Sequence, residues 1–211
     1  PIEGTAALYA NPNRLDDDQQ INLDIRRTLG LHYLFQTPYE GGQRELFLIL
    51  RALSQRHPEV GYTQGLSDVA SYIYVVIEDR DNVLMMVSTI MSSTKFNLAP
   101  CLQTNFPGLV ECRILHDQMV RHLHHTLHQH FQRLGYFESL HGFIFEYYMA
   151  WFSRVLPCDF ALAVYDFCLL DGQKALFTVA SAVLHYLKRL AGEIDAQQTS
   201  CSATTSTCAS R

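Results

Sequence analysis

Apolar residues recur at three- and four-residue intervals along almost the whole of this chain, and Val/Ile/Thr-rich alternating runs bounded by hairpin signals are absent. Such spacing gives each segment one buriable helical stripe and offers nothing from which to build a sheet. The predicted fold class is therefore all-α, with about seven or eight helices. At 211 residues, 48% of them hydrophobic, the chain can bury one substantial core or two small ones.

The acidic run Asp16-Asp17-Asp18 suits a helix N-terminus, and the helix that follows places Ile21, Ile25 and Leu29 on one stripe before Gly30 ends it. A second helix, Gln43 to Arg56, has Leu46, Ile49, Leu50 and Leu53 as its buried face, with Pro58 beyond its end. After the turn from His57 to Gly61, Leu66, Val69, Ala70, Ile73 and Ile77 mark a half-buried helix whose entrance is that turn. Another helix covers Asp81 to Met91, and Ser92 to Phe106, which contains Pro100, reads as looser. Pro107 suits the first position of one long helix whose stripe is Leu115, Met119, Leu123, Leu127, Phe131 and Leu134.

The most hydrophobic stretch, Gly142 to Leu156, contains Glu146, Ser153 and Arg154. It falls short of the roughly 18 uninterrupted apolar residues that a bilayer span needs, so a buried core helix over Phe143 to Leu156 is expected instead. Helices over Asp159 to Leu170 and Lys174 to Leu190 complete a domain spanning 1–191. Residues 192–211 are expected to be a flexible low-complexity tail, because Ser, Thr, Ala, Gln and Cys dominate from Gln197 onward and bury too little apolar area to offset their ordering entropy.

A net charge of −5 and a pI near 6.0 leave no electrostatic footprint for a polyanion, which argues against nucleic acid and against direct docking on an acidic membrane. The six cysteines form no CxxC pair, so reduced thiols in a cytosolic protein are expected. The opening Pro1-Ile2-Glu3-Gly4 has neither a basic segment nor an apolar one behind it and reads as a fragment without a secretory signal.

Two short segments carry chemistry: Ile21-Asn22-Leu23-Asp24-Ile25-Arg26-Arg27-Thr28 on the first helix, and Pro58-Glu59-Val60-Gly61-Tyr62-Thr63-Gln64-Gly65 on the later turn. On a helix, Asp24 and Arg27 lie side by side, so a carboxylate can hold a guanidinium with neither buried in the core. Gln64 projects a neutral amide between a turn and a helix start, and Gly65 beside it permits another backbone to approach closely. GTP hydrolysis needs positive charge at the transferring phosphoryl oxygens and a group that aims the attacking water, and such a pair can supply both. Each motif taken alone is more simply read as a surface ion pair or as a turn with a solvated glutamine.

Together, IxxDxxR followed by YxQG resembles the two signature motifs of the TBC family of Rab GTPase-activating proteins. Trp151-Phe152-Ser153-Arg154-Val155-Leu156-Pro157, then Tyr165-Asp166 and Gly172, are similar to that family's WFxxxxP and WDxxxxxG segments, and the likeness covers roughly Gln20 to Leu190. It departs at Tyr165, where the family usually has Trp, and at His141-Gly142, which replaces Ile-Pro; both are expected to be packing positions. The C-terminal helices that commonly complete the family's second half also look short.

The resemblance implies a multi-helix domain of roughly two helical subdomains, acting on a GTP-bound Rab-type GTPase. Arg27 would be its arginine finger and Gln64 its glutamine finger, with Asp24, Tyr62 and Gly65 supporting them. It implies no cofactor in this chain, since GTP and Mg²⁺ belong to the partner. It also implies a cytoplasmic protein recruited to endomembranes only through that partner. The alternative is a TBC-fold scaffold that binds a GTPase or another trafficking partner without speeding hydrolysis.

Two other clusters have blander explanations. His116, His122, His124, His125, His128 and His130 crowd one helix, and His124/His128 has metal-pair spacing, but with no carboxylate between them a solvated face and no metal site are expected. The aromatic group Phe143, Phe145, Tyr147, Tyr148, Trp151 and Phe152 is expected to be core.

Overall fold

The computed structural model describes residues 15–135 and 145–189. Every regular element among them is helical. They are α1 (Leu15–Ile25), a 3₁₀ turn (Tyr33–Phe35), α2 (Gly41–Arg56), α3 (Leu66–Ile77), α4 (Arg80–Ser92) and the short α5 (Leu98–Leu102). There follow α6 (Pro107–Leu123), α7 (His125–Leu134), a π turn (Phe145–Met149), α8 (Cys158–Asp171) and α9 over 173–189. No helix among the described residues is long and apolar enough to cross a membrane. The expected tail at 192–211, His141-Gly142 and Phe143 lie outside the described residues.

The second helix is central because it is the one most completely striped. Leu46, Ile49, Leu50 and Leu53 are inaccessible to solvent, each contributing about 1.5–3 kcal/mol of burial, and α1, α3 and α4 pack around them. Nearly all the buried apolar side chains from Ile21 to Ala180 join in one connected core. On α3 the burial goes beyond half a face, since Ser67, Ser71, Tyr72 and Tyr74 are covered along with the expected stripe.

Several expectations are corrected. The first helix ends at Ile25 rather than Gly30, because Thr28 Oγ1 takes the Asp24 carbonyl at 2.8 Å and the chain tightens into turns at Arg27 and Thr28. Leu29 then sits in the left-handed region with φ 45°. The segment from Ser92 to Phe106 contains α5, whose Pro100 lies within its first turn, where no backbone donor is required.

The expected single helix from Pro107 to Leu134 is broken at His124 and buries a different face. Leu115 and Leu123 remain 40% and 68% exposed, while Leu109, Cys112, His116 and Val120 face the core, followed by His124 and His128. Three of the histidines expected on a solvated face are thus interior, and His122, His125 and His130 are outside. A neutral imidazole can be buried when its ring nitrogens find partners, and here His116 Nδ1 meets Tyr148 Oη at 2.9 Å and His124 Nε2 meets Ser181 Oγ at 2.9 Å. Burial lowers the His124 pKa, reinforced by His185 and Lys188, and so favours that neutral form.

Of the hydrophobic stretch ending at Leu156, residues 145–156 are described; they form no continuous helix, and Tyr148, Met149, Ala150, Trp151 and Phe152 are core, as expected of this segment. After the π turn, Trp151 and Phe152 adopt φ 49° and 64°, left-handed conformations that cost roughly 1–3 kcal/mol each. What offsets them is packing: Tyr148, Trp151 and Phe152 are fully buried, Tyr147 stacks on Phe152 at 4.7 Å, and Trp151 meets Tyr165 at 5.2 Å. Tyr165 is itself buried, and its hydroxyl donates to the Ala150 carbonyl at 3.4 Å.

Gly172 closes α8 in a conformation, φ 68° and ψ −148°, that is open essentially to glycine alone. A Cβ there would lie 2.3 Å from the Lys95 carbonyl oxygen, which accepts from Gln173 N at 2.9 Å. Lys95 Nζ in turn donates to the Leu169 and Leu170 carbonyls at 3.1 and 2.7 Å, satisfying the helix end. Gly172→Ala is therefore expected to cost about 2–3 kcal/mol in a denaturant melt. Gly30→Ala, where a Cβ meets nothing closer than 3.7 Å, should leave the midpoint nearly unchanged.

Candidate functional site

At the C-terminal end of α1, Asp24 is 1% exposed, so its carboxylate must be neutralised and hydrogen-bonded where it stands. Three donors do this. The Arg27 guanidinium reaches Oδ1 from the turn after the helix, Gln20 Nε2 approaches the same oxygen at 3.4 Å, and Tyr62 Oη donates to Oδ2 at 2.7 Å. Burial, with the Asp24 carboxylate as a smaller contribution, holds the Tyr62 phenol far above its ordinary pKa, so it stays a donor. The expectation that neither member of the Asp24–Arg27 pair is buried is corrected: the carboxylate is interior, and only the arginine side chain, 58% exposed, is at the surface.

Asp24 thereby ties α1 to the turn carrying Gln64. That turn is pinned at other points as well. His57 Nε2 meets Ser88 Oγ on α4 at 2.8 Å, and Thr63 Oγ1 donates to the Leu102 carbonyl at the end of α5 at 2.8 Å. Gly65 has φ 106°, and a Cβ would fall 2.7 Å from Met149 Cγ, so the close approach expected of this glycine is made by the π-turn segment.

Arg27 and Gln64 converge on one cleft of roughly 380 Å³, which Ser67, Asp68, Ser153 and Arg154 also line. With its carboxamide turned so that the oxygen faces donors, Gln64 accepts from Arg27 Nη2 at 3.1 Å and from Arg154 Nη1 at 3.3 Å. Arg154 is held by Asp68, whose Oδ2 accepts from Nε at 3.0 Å and from Nη2 at 2.6 Å. Burial raises the Asp68 carboxyl pKa, and Arg154 offsets part of that rise.

All five residues singled out from the sequence, Arg27, Gln64, Asp24, Tyr62 and Gly65, therefore lie in or directly behind one cleft. Asp68 and Arg154 were not singled out. Arg154 sits inside the Trp151–Pro157 segment, but its partner is 86 positions away, and no local spacing signals such a pair. No group of three or more His, Cys, Asp or Glu among the described residues is placed to hold a metal ion, and the described cysteines, Cys101, Cys112, Cys158 and Cys168, are free thiols.

The fold and the cleft together define an all-helical domain that sets a tethered arginine beside a turn-borne glutamine. Residues 6–191 match the family model described as the Rab-GTPase-TBC domain, and the chain belongs to that family. It is 29% identical over 163 residues to a TBC domain-containing protein of Schizosaccharomyces pombe, covering 77% of this chain and 37% of that protein. It is 28% identical over 173 residues to TBC1 domain family member 2A of Mus musculus, covering 80% of this chain and 18% of the relative, so it spans well under half the length of either. The crystal structure of a Chlamydomonas flagellar RabGAP TBC domain superposes with a TM-score of 0.73 at 19% identity, over 88% of this chain and 59% of that one, and shares the fold.

Truncating Arg154 to Ala leaves the largely buried Asp68 carboxylate without its guanidinium, at an expected cost of about 2 kcal/mol at neutral pH. The Asp68 pKa, already raised in the folded state, then rises further. The penalty applies where the carboxylate is ionised and shrinks as pH falls through that raised value and Asp68 takes up a proton. Melts of wild type and Arg154→Ala at about pH 7 and about pH 5 should show the gap narrowing in acid.

Proposed function

We propose that this domain accelerates GTP hydrolysis by a GTP-bound Rab-type GTPase, supplying Arg27 and Gln64 in trans. What supports the reading is the convergence of these two side chains, from segments far apart in the chain, on one open cleft, in a member of the RabGAP TBC family. In hydrolysis, negative charge is spread over the transferring phosphoryl oxygens, and a guanidinium beside them stabilises that charge. A carboxamide can orient the attacking water, taking over the task of the GTPase's own glutamine.

The supporting residues have physical parts to play. The Asp24 carboxylate restricts Arg27 so that less rotamer entropy is lost on reaching the phosphate. Tyr62 fixes Asp24, and Gly65 lets the Gln64 turn lie against Met149. GTP and Mg²⁺ come with the partner, so the domain alone turns over nothing, and its place is the cytoplasmic side of whichever endomembrane carries that GTPase.

The test is single-turnover GTP hydrolysis by a panel of Rab proteins with wild type, Arg27→Ala and Gln64→Ala. Loss of Arg27 is expected to lower the stimulated rate by about 10³-fold or more, and loss of Gln64 by about 10²-fold, with circular dichroism unchanged. Equal rates for all three proteins would leave the fold as a binding scaffold.

A further inference from the structure

We propose that Arg154 is a positioning residue that holds the Gln64 carboxamide through one lone pair of its oxygen, while Arg27 occupies the other and releases it to water on engaging the phosphate. The inference rests on the roles given above to Arg27 and Gln64 and adds a third participant to them.

An amide oxygen has two lone pairs, and with the Gln64 carboxamide turned so that its oxygen faces the donors both are filled, by Arg27 Nη2 at 3.1 Å and Arg154 Nη1 at 3.3 Å. A glutamine that aims water must accept a proton-bearing O–H through that same oxygen. One guanidinium therefore has to leave, and the two are not equally free to do so. Arg27 stands on a turn beyond the end of α1, more than half exposed, and is held by a single carboxylate oxygen of Asp24.

Arg154 is fixed from several sides. Nε and Nη2 both donate to Asp68 on the first turn of α3, and the two side chains are only 26% and 13% exposed. Its backbone is anchored next door, where Tyr72 Oη donates to the Ser153 carbonyl at 3.2 Å, and the two residues before that are the buried Trp151 and Phe152. The guanidinium is thus used as a fork, one edge to Asp68 and Nη1 to Gln64. A lysine ammonium can neutralise Asp68 but cannot span both partners in this geometry.

When Arg27 extends to the transferring phosphoryl group, the vacated lone pair accepts from the attacking water, and Arg154 keeps the amide plane from rotating and polarises its carbonyl. The chemistry remains the partner's. The water oxygen bonds to the γ-phosphorus as the bond to the β–γ bridging oxygen breaks, and the proton leaves with the phosphate product.

The experiment uses a GTP-loaded Rab protein that this domain stimulates, with Arg154→Lys and Arg154→Ala made in the wild-type and Gln64→Ala backgrounds. Arg154→Lys is expected to melt close to wild type yet lower the maximal stimulated rate by about 10-fold, with the domain concentration for half-maximal rate little changed. In the Gln64→Ala background the same substitution should change the rate by less than about twofold, because its target is gone. Should Arg154→Ala fail to fold, the lysine variant carries the test.

Full activity of Arg154→Lys, an effect on half-saturation alone, or an equal loss with and without Gln64 would overturn the proposal. If Arg27→Ala and Gln64→Ala themselves keep wild-type rates, the catalytic reading falls and this inference falls with it. If they are slow while Arg154→Lys is not, only the positioning role is lost.

Discussion

Everything at the cleft depends on a carboxylate that has been taken out of water. An ion of that kind costs several kcal/mol to desolvate unless donors surround it, and Asp24 collects Arg27, Gln20 and Tyr62. Those donors come from both sides of a long stretch of sequence, so satisfying one buried charge fixes the distance between the end of α1 and the turn before α3. Arginine and glutamine become neighbours as a by-product of electrostatic necessity, and the turn's further ties to Ser88 and Leu102 give that necessity a rigid frame.

The part of the lining that carries Ser153 and Arg154 is built by a different means. Between the π turn and Pro157 the chain gives up regular helix, and two aromatic residues accept left-handed backbone in return for complete burial. The same packed knot brings Met149 against Gly65 and delivers Ser153 and Arg154 to the cleft. Packing there and geometry at the site are one problem, so a change at Trp151 reaches Gln64 through Gly65 and through Arg154 alike.

How much of this could be read from residue order varies with how local each cause is. The stripes of α2 and α3 are legible because Leu46, Ile49, Leu50 and Leu53 on the one, and Leu66, Val69, Ala70 and Ile73 on the other, are buried against neighbouring helices. On α6 and α7 counting apolar residues chose the wrong face, since His116, His124 and His128 go inside on the strength of partners such as Tyr148 and Ser181 that lie far along the chain. The early end of α1 was hidden because a threonine hydroxyl competing for a carbonyl looks, in sequence, like any other helical position. Arg27 and Gln64 could be picked out from residue type and motif, whereas the depth of Asp24 and the pairing of Asp68 with Arg154 are properties of the assembled fold and have no signature at either end.

The two guanidinium groups at the cleft each sit beside their own carboxylate, Arg27 with Asp24 and Arg154 with Asp68. Seen from beyond a Debye length these pairs are close to neutral dipoles, and a distant nucleotide senses little of either cation. The approach of an anion is thus little drawn by these two arginines, and its encounter rate should depend on ionic strength through charges elsewhere on the surface. The positive potential of both guanidinium groups is therefore felt only at contact distance.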